Sequence, residues 1–312
     1  MIPVRICFYR DYGGPDVLEF GDVDAPRPEA GQVLVRMAAA SLTPFDCKLR
    51  AGGLKAYFSP AFPNTPGRDG TGTVVALGPG VGTVQIGDRV CVMTPGTRAP
   101  GTCSELLACD IGLVVPLPDA LSIVEGASLV NASLSAWTCA VRVAGVKAGD
   151  KVLVHAGAGA VGGLLVQLCR HLGADVTATC RSTNKDYVLS LGAGKAIAYD
   201  QDEFTTLEPQ DIVFDLMGAD VHARSYQVLK RDGHLVYLTA APIVDRGAEF
   251  GVTVTRAMIV DDPEAVAPIL ALAANGKIKP QVARTLPLSE VAQAHRLMEA
   301  GEVTRGRLVL TI

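Results

Sequence analysis

The 312-residue chain lacks the marks of several functional classes. Its 28 Lys+Arg are outnumbered by 32 Asp+Glu, giving a formal net charge of -4, so composition offers no basic patch of the kind a nucleic-acid binder needs. No uninterrupted apolar run reaches membrane-spanning length, and even residues 120–146 are broken by Glu125, Asn131 and Arg142. The first residues enter a strand-like run without the basic, apolar and small-residue order of a signal peptide, and the expectation is a cytoplasmic protein. No two of the eight cysteines stand as Cys-x-x-Cys, which argues against a zinc ribbon or a disulfide scaffold. They read as small buried hydrophobes in a reducing compartment, with Cys47, between Asp46 and Lys48, as the one thiol considered for reactivity. Sequence repeats and low-complexity tracts are missing too. What remains is a chain that is 49% hydrophobic and long enough for two domains.

The most informative stretch is Lys151 to Gly162, KVLVHAGAGAVG. Val152 to Val154 reads as a central parallel strand, and residues 160–172 carry Val161, Leu164, Leu165 and Leu168 on one helical face. A Gly-x-Gly-x-x-Gly run between the two is a dinucleotide-binding turn in its proper setting. Gly157 allows the tight turn, Gly159 lets backbone approach a pyrophosphate, and Gly162 lets helix and strand lie close. Ala158, Ala160 and Val161 complete the loop, whose N–H groups face a phosphate at the positive end of the helix.

A second strand, Asp175 to Cys180, ends where an acidic residue would accept a hydrogen bond from the ribose 2′-hydroxyl of NAD, and no Asp or Glu follows it. Arg181, Ser182 and Lys185 stand there instead, a guanidinium, a hydroxyl and an ammonium suited to a 2′-phosphate, so the expected cofactor is NADPH. The alternative is that Arg181 and Lys185 only solvate a helix start capped by Ser182.

Along the chain, short β-rich runs separated by Gly, Pro and Asp (33–40, 72–77, 89–93, 104–108 and 113–115) predict a compact barrel-like domain. From about residue 122, helices and strands alternate, with further strands at 197–199, 211–216, 235–239 and 252–259, which predicts a doubly wound sheet. Helical patterns over 263–274 and 288–300 and a last strand over 307–312 are expected to return to the first domain. The fold class is therefore α/β, with a catalytic domain over 1–121 and 260–312 and a Rossmann domain over 122–259. A cleft between them is the default substrate site.

Several segments resemble the medium-chain dehydrogenase/reductase superfamily, and in particular its zinc-independent quinone oxidoreductase, or zeta-crystallin-like, branch. They are Asp11 to Leu18, PGRDGTG at 66–72 with VGTVQIGDRV at 81–90, Leu129 to Trp137, Val228 to Val236, and Gly306 to Leu310. The resemblance covers nearly the whole chain and implies a GroES-like β-barrel-type domain beside the Rossmann domain. Two departures from the zinc-dependent alcohol dehydrogenases of the superfamily stand out. Thr43 occupies the place of a ligating Cys three residues before Asp46, and Arg68, in Gly67-Arg68-Asp69, the place of a ligating His. The four-cysteine structural-zinc lobe is missing too, and the protein is read as metal-free, with Arg68 and Asp69 expected to pair with each other.

Without a Lewis acid, the implied chemistry is hydride delivery to an acceptor that is already electron-poor, a quinone or an α,β-unsaturated aldehyde or ketone. The resemblance puts Thr43, Asp46 and Lys48 in the loop that lines the acceptor pocket. Lys48 is either a donor to the acceptor or a lysine that is solvated or paired with Asp46, and Tyr57 either a second donor or a cover over the apolar pocket. For the cofactor it implies Ser135 and the group Leu238, Thr239 and Ala240. Met217 and Gly218 join them because ligands bind at the carboxyl ends of parallel strands. A homodimer through the strand over 252–259 is expected. Two other readings stay open: a nucleotide binder without turnover, acting as a redox sensor or structural protein, and a biosynthetic enoyl reductase for a larger metabolite.

Overall fold

The computed structural model describes residues 3–95, 101–239 and 242–312. In chain order its elements are β1 (Pro3–Phe8), β2 (Glu19–Asp24), β3 (Gln32–Leu42), α1 (Pro44–Arg50), β4 (Asp69–Leu77), β5 (Arg89–Met93), β6 (Leu106–Asp110), β7 (Val114–Pro116) and α2 (Ile123–Trp137). There follow β8 (Lys151–Val154), α3 (Ala160–His171), β9 (Asp175–Cys180), α4 (Lys185–Ser190), β10 (Lys195–Ala198), β11 (Gln210–Asp215), α5 (Ala219–Ser225), β12 (Leu229–Tyr237), α6 (Gly247–Phe250) and β13 (Thr253–Arg256). The chain closes with α7 (Pro263–Ala274), β14 (Val282–Pro287), α8 (Val291–Glu299) and β15 (Arg307–Thr311). It divides into two compact units, one of residues 1–131, 261–275 and 280–312, the other of 132–260 and 276–279.

The first unit is built on a sheet ordered β14-β15-β3-β4-β5-β7, with β6 also paired to β3. Period-two alternation makes β3 its spine: Val33, Val35 and Met37 point into one core with Val74, Val90, Val92 and Leu107, while Arg36 is exposed. A second core gathers Leu42, Leu308 and Leu310 under Val291 and Leu297 of α8. Burying each such aliphatic side chain contributes roughly 1.5–3 kcal/mol. β14 has no counterpart in the sequence reading. Five of its six residues are exposed, so the apolar alternation that betrays a half-buried strand is missing, and it is held at the sheet edge by parallel pairing with β15.

The first boundary falls inside α2, later than the residue 121/122 border read from composition. The opening of this helix is fastened to the barrel: Thr71 Oγ1 donates to the Ile123 carbonyl, the Asn131 N–H to Asp69 Oδ2, and Ala127 packs with Ala39 and Val309. Residues 276–279 join the second unit because buried Gln167 of α3 clamps Lys279, accepting its N–H at 2.7 Å and donating to its carbonyl at 3.1 Å.

The second unit carries a six-stranded, wholly parallel sheet ordered β10-β9-β8-β11-β12-β13. β8 lies at the centre, β9 and β10 run outward on one side and β11 to β13 on the other, so the direction of winding reverses between β8 and β11. That is the dinucleotide-fold order, and its ligand position is the carboxyl end of those two central strands. Leu153, Val213 and Leu235 are fully buried, as expected of strands covered on both faces. Two predicted strands are shorter than read: β12 stops at Tyr237, before Leu238 and Thr239, and β13 spans only Thr253–Arg256.

Candidate active site

The glycine turn joins β8 to α3 at the reversal. The Gly157 N–H donates to the Thr179 carbonyl at 2.8 Å, and an ideal Cβ there would stand 2.7 Å from the Ala178 methyl, so only glycine lets the loop lie on β9. A Cβ on Gly162 would collide with the Ala156 carbonyl oxygen, while Gly159 has only that same oxygen, 3.4 Å from its would-be Cβ. Gly159 is the N-cap of α3, and no side chain caps the helix. The first-turn N–H groups, those of Ala160, Val161 and Gly162, therefore have no intrahelical acceptor by construction and lie behind a residue with open space in front of it. Ala158 is buried at the base of the loop.

The loop is held from behind by His155, fully buried at the end of β8. Ser225 Oγ donates to the Val221 carbonyl, so it accepts from His155 Nε2 at 3.1 Å; Nδ1 then accepts from Thr179 Oγ1, also at 3.1 Å, and Thr179 Oγ1 in turn accepts the Ala156 N–H. We assign the imidazole the neutral Nε2–H form on this network. Burial agrees, pulling its pKa from 6.5 down to about 4.

Across the reversal, Asp215 ends β11. Its Oδ1 accepts the N–H groups of Met217 and Gly218, both at 2.8 Å, and its Oδ2 meets His222 Nδ1 at 2.8 Å. His222 Nε2 lies 3.2 Å from the Tyr226 hydroxyl, which also accepts the Arg246 N–H at 3.1 Å. This buried chain fixes Met217 and Gly218 of the rim and the start of α6, whose N-cap is Arg246. The sequence reading passed over it, although a strand-end Asp followed by His and Tyr one helical turn apart is a legible signal. Met217 is exposed, and Gly218 has φ +77°. Thr239, with Leu238 just past the end of β12, has a buried Oγ1 without a hydrogen-bond partner among the described residues, a donor left over on the same rim. Ser135 is buried on α2. Ala240 lies outside the described residues.

At the end of β9 each predicted group has a protein partner. The Ser182 N–H and hydroxyl donate to Asp200 at 2.8 and 2.7 Å, Arg181 Nε donates to the Tyr199 hydroxyl at 3.1 Å, and Lys185 faces Asp202 at 3.7 Å. Tyr199 and Asp200 were missed because they come from the end of β10, which register places beside the end of β9. The hydrogen bonds from Ser182 hold the Asp200 carboxyl below the usual range.

In the first unit, Thr43 and Asp46 form the capping box of α1. Asp46 Oδ2 accepts from the Thr43 hydroxyl at 2.6 Å and from its N–H at 2.8 Å, and Oδ1 accepts the Gly67 N–H at 3.1 Å. Burial raises the pKa of Asp46 against these hydrogen bonds. Lys48 is exposed on the same helix with no ion pair among the described residues, and Tyr57 is 64% exposed. Cys47 is buried and its thiol pushed up to about 12, mainly by burial, which leaves it a poor nucleophile. The expected Arg68–Asp69 pair does not form. Arg68 ion-pairs with Asp261 at 2.7 Å and lies over the Phe45 ring, whereas Asp69 accepts from Ser41 and from the Asn131 N–H. Arg68 stands just before β4 and Asp69 opens it, and neighbours in an extended chain point to opposite sides, which makes them poor ion-pair partners. Among the described residues, no group of three or more His, Cys, Asp or Glu is placed to hold a metal ion.

Residues 29–126 match the alcohol dehydrogenase GroES-like domain family, and residues 191–310 the family described as zinc-binding dehydrogenase. Over 313 residues the chain is 35% identical to a 2-methylene-furan-3-one reductase of Solanum lycopersicum, the alignment covering 97% of this chain and 77% of that protein. It is 34% identical over 318 residues to an Arabidopsis thaliana NADPH-dependent alkenal/one oxidoreductase, chloroplastic, covering 98% and 79%. A solved quinone oxidoreductase from Coxiella burnetii superposes over all of both chains with a TM-score of 0.90 at 31% identity. The chain belongs to the quinone oxidoreductase branch of the medium-chain dehydrogenase/reductases. The GroES-like and Rossmann folds of that superfamily are the two units described above. As a member of the branch, the chain uses a pyridine nucleotide, and its own residues fit one: the uncapped start of α3 and the Thr239 hydroxyl are polar groups with no side-chain cap or hydrogen-bond partner among the described residues, and Gly159 leaves open space in front of the helix start.

Proposed function

We propose that the protein is an NADPH-dependent, zinc-independent reductase of quinones or of α,β-unsaturated aldehydes and ketones. The observation that carries this reading is the uncapped first turn of α3 behind Gly159, in a sheet wound as dinucleotide-binding sheets are. Bound there, the cofactor supplies a hydride to an electron-poor carbon of the acceptor. The names of the tomato and Arabidopsis relatives support an acceptor with a carbon–carbon double bond conjugated to a carbonyl, and that of the Coxiella protein a quinone.

The chain's own part is to grip, orient and donate. The N–H groups of Ala160, Val161 and Gly162 take the pyrophosphate; Ser135, Met217, Gly218, Leu238 and Thr239 line the nicotinamide end. As the carbonyl carbon chain accepts electrons, its oxygen gains charge and needs a donor. The Thr43 hydroxyl proton is already directed to Asp46, so Thr43 and Asp46 act as positioning residues for α1, and Lys48 and Tyr57 are the donors with free capacity. Zinc independence is supported by the donor set: a capping threonine at 43 and a paired guanidinium at 68 offer neither thiolate nor imidazole. The eight buried, unpaired cysteines support a reducing, cytoplasmic setting, and the edge strand β13, followed by exposed Met258 and Val260, supports a homodimer.

The test follows reduced-nicotinamide absorbance with NADPH or NADH against 1,4-quinones and short enones in chelator-treated buffer. Consumption that survives chelation, with reduced acceptor recovered and turnover falling about tenfold or more in Lys48→Met or Tyr57→Phe, is the expected result. NADPH bound tightly but consumed with no acceptor, large metabolites included, would make the protein a non-catalytic nucleotide binder.

A further inference from the structure

The phosphate-facing end of β9 carries as much negative as positive charge. Its two cations, Arg181 and Lys185, stand with two carboxylates, Asp200 and Asp202, and the two Ser182 donors closest to the strand end are both engaged by Asp200. The carboxylate reaches that place by register: Ala198 of β10 pairs with Cys180 of β9, and the Tyr199 N–H donates to the Cys180 carbonyl at 3.0 Å, so the residue after Tyr199 arrives beside Ser182. A ribose 2′-phosphate brings about one and a half to two negative charges and would seek the Ser182 N–H and hydroxyl. Here it would have to displace a carboxylate that is held ionised by those same hydrogen bonds. A ribose 2′-hydroxyl, in contrast, needs an acceptor, and each Asp200 oxygen keeps a lone pair beyond the one used by Ser182.

We propose that Asp200 is the cofactor-selectivity residue of this chain, a built-in competitor for the 2′-phosphate that narrows its preference for NADPH and admits NADH. This rests on the reading of the glycine turn as a pyridine-dinucleotide site and goes beyond it by naming the residue that sets which dinucleotide fits. Asp202 serves as the internal control. It has the same charge and lies on the same turn, but it faces Lys185 and leaves the Ser182 donors alone.

Binding of NADPH and of NADH, each measured by calorimetry to the wild-type chain, Asp200→Asn and Asp202→Asn at low and at physiological salt, tests it. In Asp200→Asn, NADPH should tighten by about five- to tenfold, as expected for removing one like charge within a few ångströms at the surface, and NADH should weaken by about two- to threefold. The gain for NADPH should shrink at the higher salt. Opposite movement of the two affinities is a signature that general damage to the fold cannot produce, because damage weakens both. A ratio of affinities unchanged within twofold, or one moved equally by Asp202→Asn, would overturn the role of Asp200 while leaving the dinucleotide site intact. A wild-type chain that binds neither cofactor would overturn both readings.

Discussion

Thr43 and Asp46 in the first unit and Gly159 to Gly162 in the second were both singled out by sequence, and the structure treats them in opposite ways. The threonine and aspartate are spent on each other and on the Gly67 N–H, which leaves neither of them a proton to offer an acceptor. The glycine loop leaves backbone donors open with no side chain to cap them. A polar side chain in a suggestive motif is available for chemistry only if the fold has not already used its hydrogen bonds, whereas a helix start without a cap is a vacancy by construction.

The comparison is broken most severely at Gly162. Gly162→Val sets a branched side chain against the Ala156 carbonyl, which must move, and the expected cost is about 3 kcal/mol or more, with cofactor binding lost. Gly159→Ala meets only an ordinary contact, so it should keep the unfolding midpoint in urea while weakening the cofactor. Equal damage from both would mean that Gly159 too is there for packing.

Asp46→Ala tests the other side. It orphans the Thr43 N–H, the Thr43 hydroxyl and the Gly67 N–H, at about 1 kcal/mol or more each, so chemical denaturation should report a loss of about 3 kcal/mol. An unchanged midpoint with collapsed turnover would instead make Asp46 a catalytic group.

The smallest effect at neutral pH comes from two buried histidines, one in each unit. His155 is fully partnered, while neither ring nitrogen of His295 has a partner among the described residues, and burial lowers the two imidazoles to about 4 and about 3 from 6.5. In each case the unfolded chain binds a proton that the folded chain refuses, so stability is complete above about pH 6.5 and falls as the pH drops toward the folded value. For His155 the loss is about 3 kcal/mol across that window. His295→Leu should flatten part of the acid limb at little cost at neutral pH, because no hydrogen bond is lost. His155→Leu should flatten it too, but at a neutral-pH cost of about 1–2 kcal/mol, because the Thr179 hydroxyl proton loses its acceptor and Ser225 keeps only its bond to the Val221 carbonyl. If the two leucine variants match at neutral pH, the distinction between partnered and orphaned histidine fails.

What sequence made legible follows the same division. The glycine loop and the central strands could be read because their signals are local: apolar runs of strand length and glycine at fixed spacing. Thr43-x-x-Asp46 was equally local, but the spacing of a capping box and a pair of pocket-lining polar residues look alike until the hydrogen bonds are seen. Asp200 beside Ser182, Arg68 on Asp261 and Tyr226 under Arg246 depend on which strand ends lie next to one another. That information is in the topology, and no window along the chain contains it. β14 was illegible for a different reason, since an exposed edge strand needs no apolar face.

The amide clamp of Gln167 on Lys279 has a consequence for how the molecule is made. The helix that offers the amide is synthesised more than a hundred residues before the backbone that accepts it. A ribosome releasing the chain from its N-terminus will have exposed all of β8 to β13 while that amide still faces water, and the nucleotide-binding unit closes its last contact only as residues 276–279 emerge. A gene fragment cut to 132–260 would therefore encode every strand of the parallel sheet and still leave the Gln167 amide of α3 facing water in place of the Lys279 backbone, less stable than the same unit in the full chain.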